Sequence, residues 1–260
     1  MKQREQYKRT IEKLINLPDA GNASPKFPGV LVSGIAHFFV GTSYGEATLE
    51  TTKAEHLVIN LREFDCFTFV ENVVAFACLL RSRGRSLESF RRKLLMIRYR
   101  QGRLKGYSSR LHYFSDWMHD NRKKGIVRDI TAQIGGRPLR KTVTFMTAHP
   151  ALYPALKDAA TLRRMVSVER AISRRSLSFI PKRGVRRVEK RIRDGDLIAI
   201  TTSREGLDVQ HVGVAARVEH RIHLLHASSK EGRVVLSKET LCRYLTGSET
   251  RTGIMVARMI

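Results

Sequence analysis

A short apolar segment that begins with an aspartate and a cysteine constrains this chain more than any other feature. Residues 64–71 read Phe64-Asp65-Cys66-Phe67-Thr68-Phe69-Val70-Glu71, and apolar side chains then recur at helical spacing as far as Leu80. Asp65 can cap such a helix by accepting hydrogen bonds from its first backbone N–H groups. The pattern therefore predicts a helix from Cys66 to about Arg83, with the cysteine in its first turn.

The position of Cys66 allows two interpretations. The partial positive charge and the unpaired N–H groups at a helix N-terminus favour the thiolate, lower the pKa of a cysteine and make its sulfur nucleophilic. Free cysteine is also among the most frequently buried residue types, so a core role is the alternative. Chemistry at Cys66 requires a base within reach, and histidine is the usual one.

The second half of the chain has the pattern of short strands joined by turns. Strands are predicted at residues 197–201, 209–218, 221–228, 233–237 and 253–258. Upstream, the spacing predicts helices at 87–98, from 107 to near 125 and at 156–172, and a strand at 141–146. A mostly helical part that carries Cys66, followed by a mostly antiparallel part, predicts an α+β fold. No long low-complexity linker separates the parts, so one domain over residues 1–260 is expected.

Two histidines on neighbouring predicted strands can meet. If residues 219–220 form a two-residue hairpin loop, Gly213 faces His226, and His211 and His226 lie on one face as diagonal neighbours. A slip of one residue would separate them. Strand alternation places His223 on the opposite face, which argues against a zinc site formed by the histidines at 220, 223 and 226.

These side chains are the types that cysteine-dependent acyl transfer requires. His211 would take the thiol proton, His226 would orient His211, and Cys66 would attack a carbonyl carbon to form a thioester. Backbone N–H groups at the start of the helix would hold the oxyanion, and water would release the acid. This mechanism requires no metal and no other cofactor.

The chain carries a large excess of positive charge. It has 48 Lys and Arg against 24 Asp and Glu, a formal net charge of +24. Such a field attracts nucleic acid, anionic lipid or an acidic wall polymer without choosing among them. No signature of a nucleic-acid-binding module accompanies the basic clusters, so a solvated basic surface and a polyanion groove both stay open. Three cysteines provide neither a disulfide framework nor paired zinc spacing.

Five blocks of sequence, taken in order, resemble the NlpC/P60 cell-wall hydrolases. They are Gly41-Thr42-Ser43-Tyr44, Asp65-Cys66-x-x-Phe69-Val70, Asp194-Gly195-Asp196-Leu197-Ile198, His211-Val212-Gly213-Val214 and His226-Ala227-Ser228. The chain is more closely similar to the DUF1460 branch, whose members resemble N-acetylmuramoyl-L-alanine amidases. The resemblance extends from about Gly41 to the end and includes Ser109-Arg110-Leu111-His112-Tyr113 with Trp117, and Gly206-Leu207-Asp208.

The resemblance implies a papain-like α+β fold in which the helical part that carries the nucleophile packs on an antiparallel sheet or partial barrel. It implies Cys66 as nucleophile, His211 as base and His226 as the orienting third member. The implied reaction is hydrolysis of the amide between N-acetylmuramic acid and L-alanine in peptidoglycan or muropeptides, without a metal.

The resemblance also implies a set of substrate-binding residues. A helical elaboration at about residues 87–175, absent from minimal members of the superfamily, is expected to select the substrate. Arg110 can pair bidentately with a substrate carboxylate. Trp117 is either an aromatic wall for a ligand or a core residue. The expected substrate-binding residues are Tyr44, Asp65, Arg110, His112 and Trp117.

Other functions are compatible with the same residues. A papain-like peptidase or acyltransferase would use the triad on another acyl group, and a basic polyanion-binding protein would carry an inert cysteine. The resemblance implies a periplasmic or wall-associated protein, whereas the charged N-terminus shows no signal peptide, which keeps cytoplasmic muropeptide processing open. No apolar run is long enough to predict a transmembrane helix, and the oligomeric state stays unknown.

Overall fold

The computed structural model describes residues 2–15, 28–50 and 54–260. Its helices are α1 (Lys2–Ile15), α2 (Pro28–Phe38), α3 (Cys66–Leu80), α4 (Leu87–Arg98), α5 (Phe114–Lys123), α6 (Phe145–Ala148), α7 (Ala159–Ser173), α8 (Val185–Val188) and α9 (Leu241–Thr246). Its strands are β1 (Ser43–Tyr44), β2 (Glu63–Phe64), β3 (Val127–Asp129), β4 (Arg137–Leu139), β5 (Leu177–Pro181), β6 (Leu197–Thr202), β7 (Val209–Val218), β8 (Arg221–Ser228), β9 (Arg233–Thr240) and β10 (Arg251–Met259).

The strands form one curled sheet in the order β2-β1-β9-β8-β7-β6-β10-β5-β4, with β3 also paired to β10. All pairs are antiparallel except that of β1 with β2. Helix α3 packs against β7 and β8. The predicted α+β fold, with the cysteine-bearing helical part on an antiparallel partial barrel, is therefore confirmed.

Strand alternation sends apolar side chains to both faces of this sheet. One face packs against α3, and the core there includes Val212, Val214 and Leu225. The other face is covered by the short helices α8 and α9, and its core includes Ala215 and Leu224. The central strands are thus buried on both sides, which holds their ends in a fixed position.

The predicted hairpin register is confirmed. Val218 is opposite Arg221, and the pairing continues without a shift along the strands. Glu219 turns the chain with a φ of 52°. A Cβ atom at Gly213 would lie 2.7 Å from a backbone carbonyl oxygen of β8 and 3.0 Å from the Cβ atom of His226. The absent side chain therefore lets β7 and β8 approach closely beside the histidines.

The segment at 141–146 differs from its prediction as a strand. The backbone N–H groups of Thr144 and Phe145 both donate to the carbonyl of Gly206, at 2.9 and 3.0 Å, and α6 follows. Contacts with the β6–β7 loop thus replace a strand ladder. The helix predicted from residue 107 begins later, at Phe114, after a short 3₁₀ turn over Tyr107–Ser109.

The single domain over residues 1–260, with its elaboration at 87–175, stays a prediction. That range contains α4 to α7. Among the residues that the structure describes, no helix has the length and hydropathy needed to cross a membrane.

Candidate active site

Helix α3 begins with a complete capping box. Asp65 Oδ1 accepts hydrogen bonds from the backbone N–H groups of Phe67 at 2.9 Å and Thr68 at 2.7 Å. In return, the backbone N–H of Asp65 donates to Thr68 Oγ1 at 3.0 Å. Reciprocal capping satisfies donors that would otherwise fray the first turn. Cys66 is therefore the first residue of a well-anchored helix, as predicted.

The pKa of Cys66 does not follow the prediction. Cys66 is half-buried, and burial raises the pKa of its thiol to about 12, with a further increase from the Asp65 carboxylate. Backbone N–H groups of Val212, Cys66 and Phe67 act in the opposite direction. The helix terminus thus lowers the pKa as expected, but desolvation of the charged form is the larger effect. The pKa of Cys66 is therefore raised by burial, in contrast to the predicted lowering.

His211 and His226 form a directly hydrogen-bonded pair. Nε2 of His211 lies 2.7 Å from Nδ1 of His226, and the two rings are nearly perpendicular, with an interplanar angle of 89°. The predicted diagonal meeting across β7 and β8 therefore occurs. Because this contact engages Nε2 of His211, Nδ1 is the ring nitrogen that remains for a proton from another group.

Both imidazoles are neutral at pH 7. Burial lowers the pKa of His211 to about 3, and the neighbouring His226 and Arg251 lower it further. Burial, then Arg251, lowers the pKa of His226 to about 4. If the Nε2–H of His211 donates to His226, a lone pair stays on Nδ1 of His211. His211 then has the tautomer that a general base requires.

Cys66 and His211 line one cavity of about 210 Å³. Its walls combine aromatic side chains from the helical part with polar side chains that precede or begin β7. The lining residues are Cys66, Phe67, His112, Tyr113, Phe114, Phe145, Met146, Tyr153, Leu207, Asp208, Val209, Gln210, His211 and Val212. A mostly apolar cleft with a few convergent polar groups is typical of a substrate site.

Two predicted substrate-binding residues lie near the thiol. His112 lines the cavity, and its Nε2 contacts the backbone carbonyl of Tyr107 at 3.0 Å, so this nitrogen carries the proton. Burial holds the pKa of His112 well below its usual value. For Tyr44, burial and then the nearby Cys66 raise the phenol pKa to about 12. Their roles in binding stay predictions.

Arg110 does not have a guanidinium free to bind a substrate carboxylate. Its side chain is buried, and a terminal nitrogen donates to Glu50 at 2.7 Å. Its Nε lies 3.3 Å from a carboxylate oxygen of Glu55. The guanidinium is also stacked over the ring of Tyr107 at 4.8 Å. Two carboxylates of the protein already neutralise Arg110, so the structure contradicts the predicted bidentate contact with substrate.

Trp117 has the core role that the sequence left open, and Asp65 has its predicted capping role, while its contact with substrate stays a prediction. Trp117 is 0% exposed and is stacked on Phe114 at a centroid distance of 5.1 Å, with Phe67 at 6.5 Å. Phe114 and Phe67 line the cavity and Trp117 does not, so its core interpretation is correct. The Asp65 oxygen Oδ1 is occupied by the capping hydrogen bonds.

The structure adds residues that the sequence analysis did not select. Asp208 lines the cavity and is buried, and it accepts hydrogen bonds from the backbone N–H groups of Ser115 at 2.9 Å and Val209 at 2.8 Å. Burial raises the pKa of Asp208. The sequence block Gly206-Leu207-Asp208, which is part of the family resemblance, was the signal that could have identified Asp208.

Tyr244 and Arg251 flank the histidine pair, and no sequence pattern identified them. The Tyr244 ring lies 5.4 Å from the His226 ring and 6.2 Å from the His211 ring. The Arg251 guanidinium lies over the Tyr244 ring, 4.0 Å from its centroid, and donates to the backbone carbonyl of Tyr244. Arg251 is therefore a fixed positive charge near the two imidazoles, and it lowers the pKa of both.

No cluster of three or more His, Cys, Asp or Glu side chains suited to a metal ion occurs within residues 2–15, 28–50 and 54–260. The histidines at 220, 223 and 226 accordingly do not form one there. The hydrogen-bonded imidazoles and the thiol that lines the same cavity as His211 are the residue types that a nucleophile, a base and an orienting group require.

Comparisons with known proteins identify the family of the chain. A family model described as N-acetylmuramoyl-L-alanine amidase-like (AmiA-like) matches residues 34–254. A search of curated proteins finds no match. A crystal structure of an N-acetylmuramoyl-L-alanine amidase from Bacteroides uniformis has 34% sequence identity and a TM-score of 0.85, covering 90% of this chain and 99% of that one.

A second crystal structure of a Bacteroides uniformis amidase has 35% identity and a TM-score of 0.84, covering 89% of this chain and 98% of that chain. A Legionella pneumophila protein of family DUF1460 shares the fold, with 24% identity, a TM-score of 0.72 and coverage of 98% and 95%. The predicted resemblance to N-acetylmuramoyl-L-alanine amidases is confirmed by the family model. With the family model matching most of its length, the chain belongs to the N-acetylmuramoyl-L-alanine amidase-like family.

Proposed function

We propose that this protein is a cysteine amidase that hydrolyses the amide between N-acetylmuramic acid and L-alanine in peptidoglycan or muropeptides. The observation that carries the proposal is the 2.7 Å hydrogen bond between His211 and His226, with His211 lining the same cavity as Cys66 at the start of α3. Family membership supports the cell-wall substrate class. The proposed place of action is therefore the periplasm or the cell wall.

The first half of the proposed reaction transfers an acyl group to sulfur. Because burial disfavours both the thiolate and the imidazolium, the proton passes from Cys66 to Nδ1 of His211 as sulfur attacks the carbonyl carbon. Backbone N–H groups at the start of α3 stabilise the oxyanion. The imidazolium then gives its proton to the nitrogen of L-alanine. The C–N bond breaks, and a thioester to the lactyl carbonyl remains on Cys66.

The second half returns the enzyme to its initial state. His211 takes a proton from water, the resulting hydroxide attacks the thioester carbonyl, and the proton returns to sulfur as the C–S bond breaks. His226 accepts the Nε2–H of His211 throughout, which keeps Nδ1 directed at the reaction. The products are N-acetylmuramic acid with a free lactyl carboxylate and a peptide with a free L-alanine amino group.

The test compares Cys66→Ala with Cys78→Ala, a matched change of a half-buried cysteine in the same helix. Each variant is incubated with purified muropeptides, and the products are identified by mass. We expect Cys66→Ala to lose turnover by about a thousandfold or more, as removal of a nucleophile does, and Cys78→Ala to retain it.

Two results would contradict the proposal. Retained turnover in Cys66→Ala would exclude the thioester mechanism. Cleavage at a bond within the stem peptide, with no free lactyl carboxylate, would identify the protein as a papain-like peptidase that uses the same residues on a different acyl group.

A further inference from the structure

A dense group of positive charges lies outside the proposed active site. It lies at the edge of the second core, which is the core between the sheet and the short helices α8 and α9. Residues 182–193, which we name the basic ridge, contain seven Lys and Arg and one acidic residue, Glu189. The basic residues are Lys182, Arg183, Arg186, Arg187, Lys190, Arg191 and Arg193. This is over half of the ridge.

The basic ridge is a folded surface. It consists of α8 between two short 3₁₀ turns, and its apolar side chains are buried in the second core: Val185 is 0% exposed, Val188 8% and Ile192 0%. Burial of these three residues leaves the long basic side chains on the outside. The positive charges are therefore held in a fixed arrangement next to one another.

The only acidic residue of the ridge neutralises few of these charges. Glu189 is buried and accepts hydrogen bonds from Arg186 at 2.6 Å and from Arg221 at 3.2 Å. Four exposed members of the ridge form no ion pair with any other residue that the structure describes. These are Arg183, Arg187, Lys190 and Arg193. They create a local positive potential that is open to solvent.

The basic ridge adjoins the helix that touches the histidine pair. Lys182 Nζ donates to the backbone carbonyl of Ser248, just after α9, at 3.4 Å. Within α9, Cys242 lies within electrostatic reach of Glu189, and Tyr244, two residues later, contacts both imidazoles. One short helix thus separates the ridge from the proposed catalytic base.

The composition of the ridge indicates which class of partner fits it. Its Val and Ile side chains are buried, so it lacks the exposed apolar face with which an interfacial helix enters a membrane. It also has no aromatic residue on which the bases of a single-stranded nucleic acid could stack. A row of cations without these features fits a linear polyanion that is recognised by charge.

We propose that the basic ridge docks a linear anionic polymer of the cell wall, with phosphate or carboxylate groups repeated along its chain, and holds the enzyme on its insoluble substrate. The choice of a wall polymer rests on the proposed function. The docking itself depends on the ridge and not on the thiol, so the two proposals can fail separately.

The test uses two sets of four substitutions that remove the same charge. The ridge variant carries Arg183→Gln, Arg187→Gln, Lys190→Gln and Arg193→Gln. The matched control carries Arg163→Gln, Arg164→Gln, Arg170→Gln and Arg174→Gln, four exposed arginines on and just after α7. Both sets are placed in a Cys66→Ala background, so that binding to purified sacculi is measured by pelleting, without digestion, over a series of salt concentrations.

We expect the ridge variant to bind sacculi at least about tenfold more weakly at low salt. The plot of the logarithm of the association constant against the logarithm of salt concentration should become less steep. Its negative slope should decrease in magnitude by about 3, because up to four ion contacts are lost. The control should bind like the parent protein. Equal weakening in both variants would mean that overall net charge causes the attraction, and would overturn the proposal.

Further arms identify the partner. Hydrofluoric acid strips phosphate polymers from sacculi. Loss of binding to stripped sacculi would identify the phosphate groups as the ligand of the ridge, and retained binding would identify the carboxylates of the stem peptides. Either result supports docking to the wall. A ridge variant that loses more affinity for duplex DNA or anionic vesicles than for sacculi would overturn the proposal. With Cys66 restored, turnover of a small soluble muropeptide should equal that of the unmodified protein, and a large decrease would contradict a pure docking role.

Discussion

The imidazoles of His211 and His226 titrate as one unit. A hydrogen bond of 2.7 Å joins them, so a proton gained by one changes the charge that faces the other. Arg251 adds a fixed positive charge nearby, held over Tyr244 at 4.0 Å. This charge lowers the pKa of both histidines, in addition to burial. Arg251 therefore helps to keep His211, the proposed base, neutral at mildly acidic pH.

Arg251→Gln should move the acidic limb of the pH–activity profile to higher pH. Without the guanidinium, the pKa values of His211 and His226 rise, so the base becomes protonated at higher pH, by about half a unit to one unit. The measurement is kcat/KM on a soluble muropeptide from about pH 3 to about pH 8, a range that includes the acidic limb of the parent protein. Arg251→Lys keeps the charge and should leave the limb in place. An equal shift in both variants would attribute the effect to lost packing on Tyr244.

The sequence predicted contacts between residues better than the burial of each residue. The meeting of His211 and His226 follows from strand alternation and a two-residue loop, which are local rules. The neutralisation of Arg110 depends on Glu50 and Glu55, which lie far away in sequence. No sequence motif identifies these two residues as its partners. The raised pKa of Cys66 likewise results from packing that no local pattern specifies.

At the scale of the element, the start of α3 combines two opposing electrostatic effects. The capping carboxylate of Asp65 stabilises the helix through hydrogen bonds to its first N–H groups. The same negative charge lies beside Cys66 and raises the thiol pKa. Capping therefore positions Cys66, the proposed nucleophile, while making its thiol harder to ionise, and the two effects can be separated by substitution.

Asp65→Asn should keep the cap and remove the charge, because asparagine caps about as well as aspartate. The rate of Cys66 alkylation by iodoacetamide should then rise at lower pH than in the parent, measured with Cys78 and Cys242 replaced by alanine. Asp65→Ala should instead lower the free energy of unfolding by about 1 kcal/mol in urea titrations. An alkylation profile unchanged in Asp65→Asn would mean that Asp65 carries no charge beside the thiol.

Whole elements were predictable where their pattern was strong. The strands after residue 196 and the helix from Cys66 have clear periodicity, and each appears close to its predicted position. The segment at 141–146 alternates like a strand, but its backbone hydrogen-bonds to the loop that contains Gly206 and leads into α6. Alternation indicates a strand only when a neighbouring strand has a free edge.

At the scale of the whole molecule, burial shifts the pKa values of carboxyl groups and of histidines in opposite directions. It raises the pKa of the buried carboxyls Asp65, Glu71 and Asp208, which makes folding more favourable as they gain protons. It lowers the pKa of His211 and His226, which makes folding less favourable as pH falls. The response of the intact protein to acid is the sum of both, so the histidine contribution must be measured as a difference between variants.

The histidine pair should make the fold sensitive to mild acid. The folded pKa values of His211 and His226, about 3 and about 4, lie below the ordinary value of 6.5. Between pH 6.5 and about 4 the unfolded chain binds these two protons and the folded chain does not, so the free energy of unfolding falls as pH falls through this window. Between pH 7 and pH 5 the loss should be on the order of 2 kcal/mol per histidine.

The double variant His211→Gln and His226→Gln should show a correspondingly smaller loss of unfolding free energy between pH 7 and pH 5, measured by urea titration at each pH. The matched control, His149→Gln with His220→Gln, changes two exposed histidines and should keep the loss of the parent protein. The same pH dependence in all three proteins would mean that the pair is not held neutral by the fold. A base that the fold does not hold neutral cannot take the proton of Cys66 in the way proposed, so this measurement tests the mechanism without any substrate.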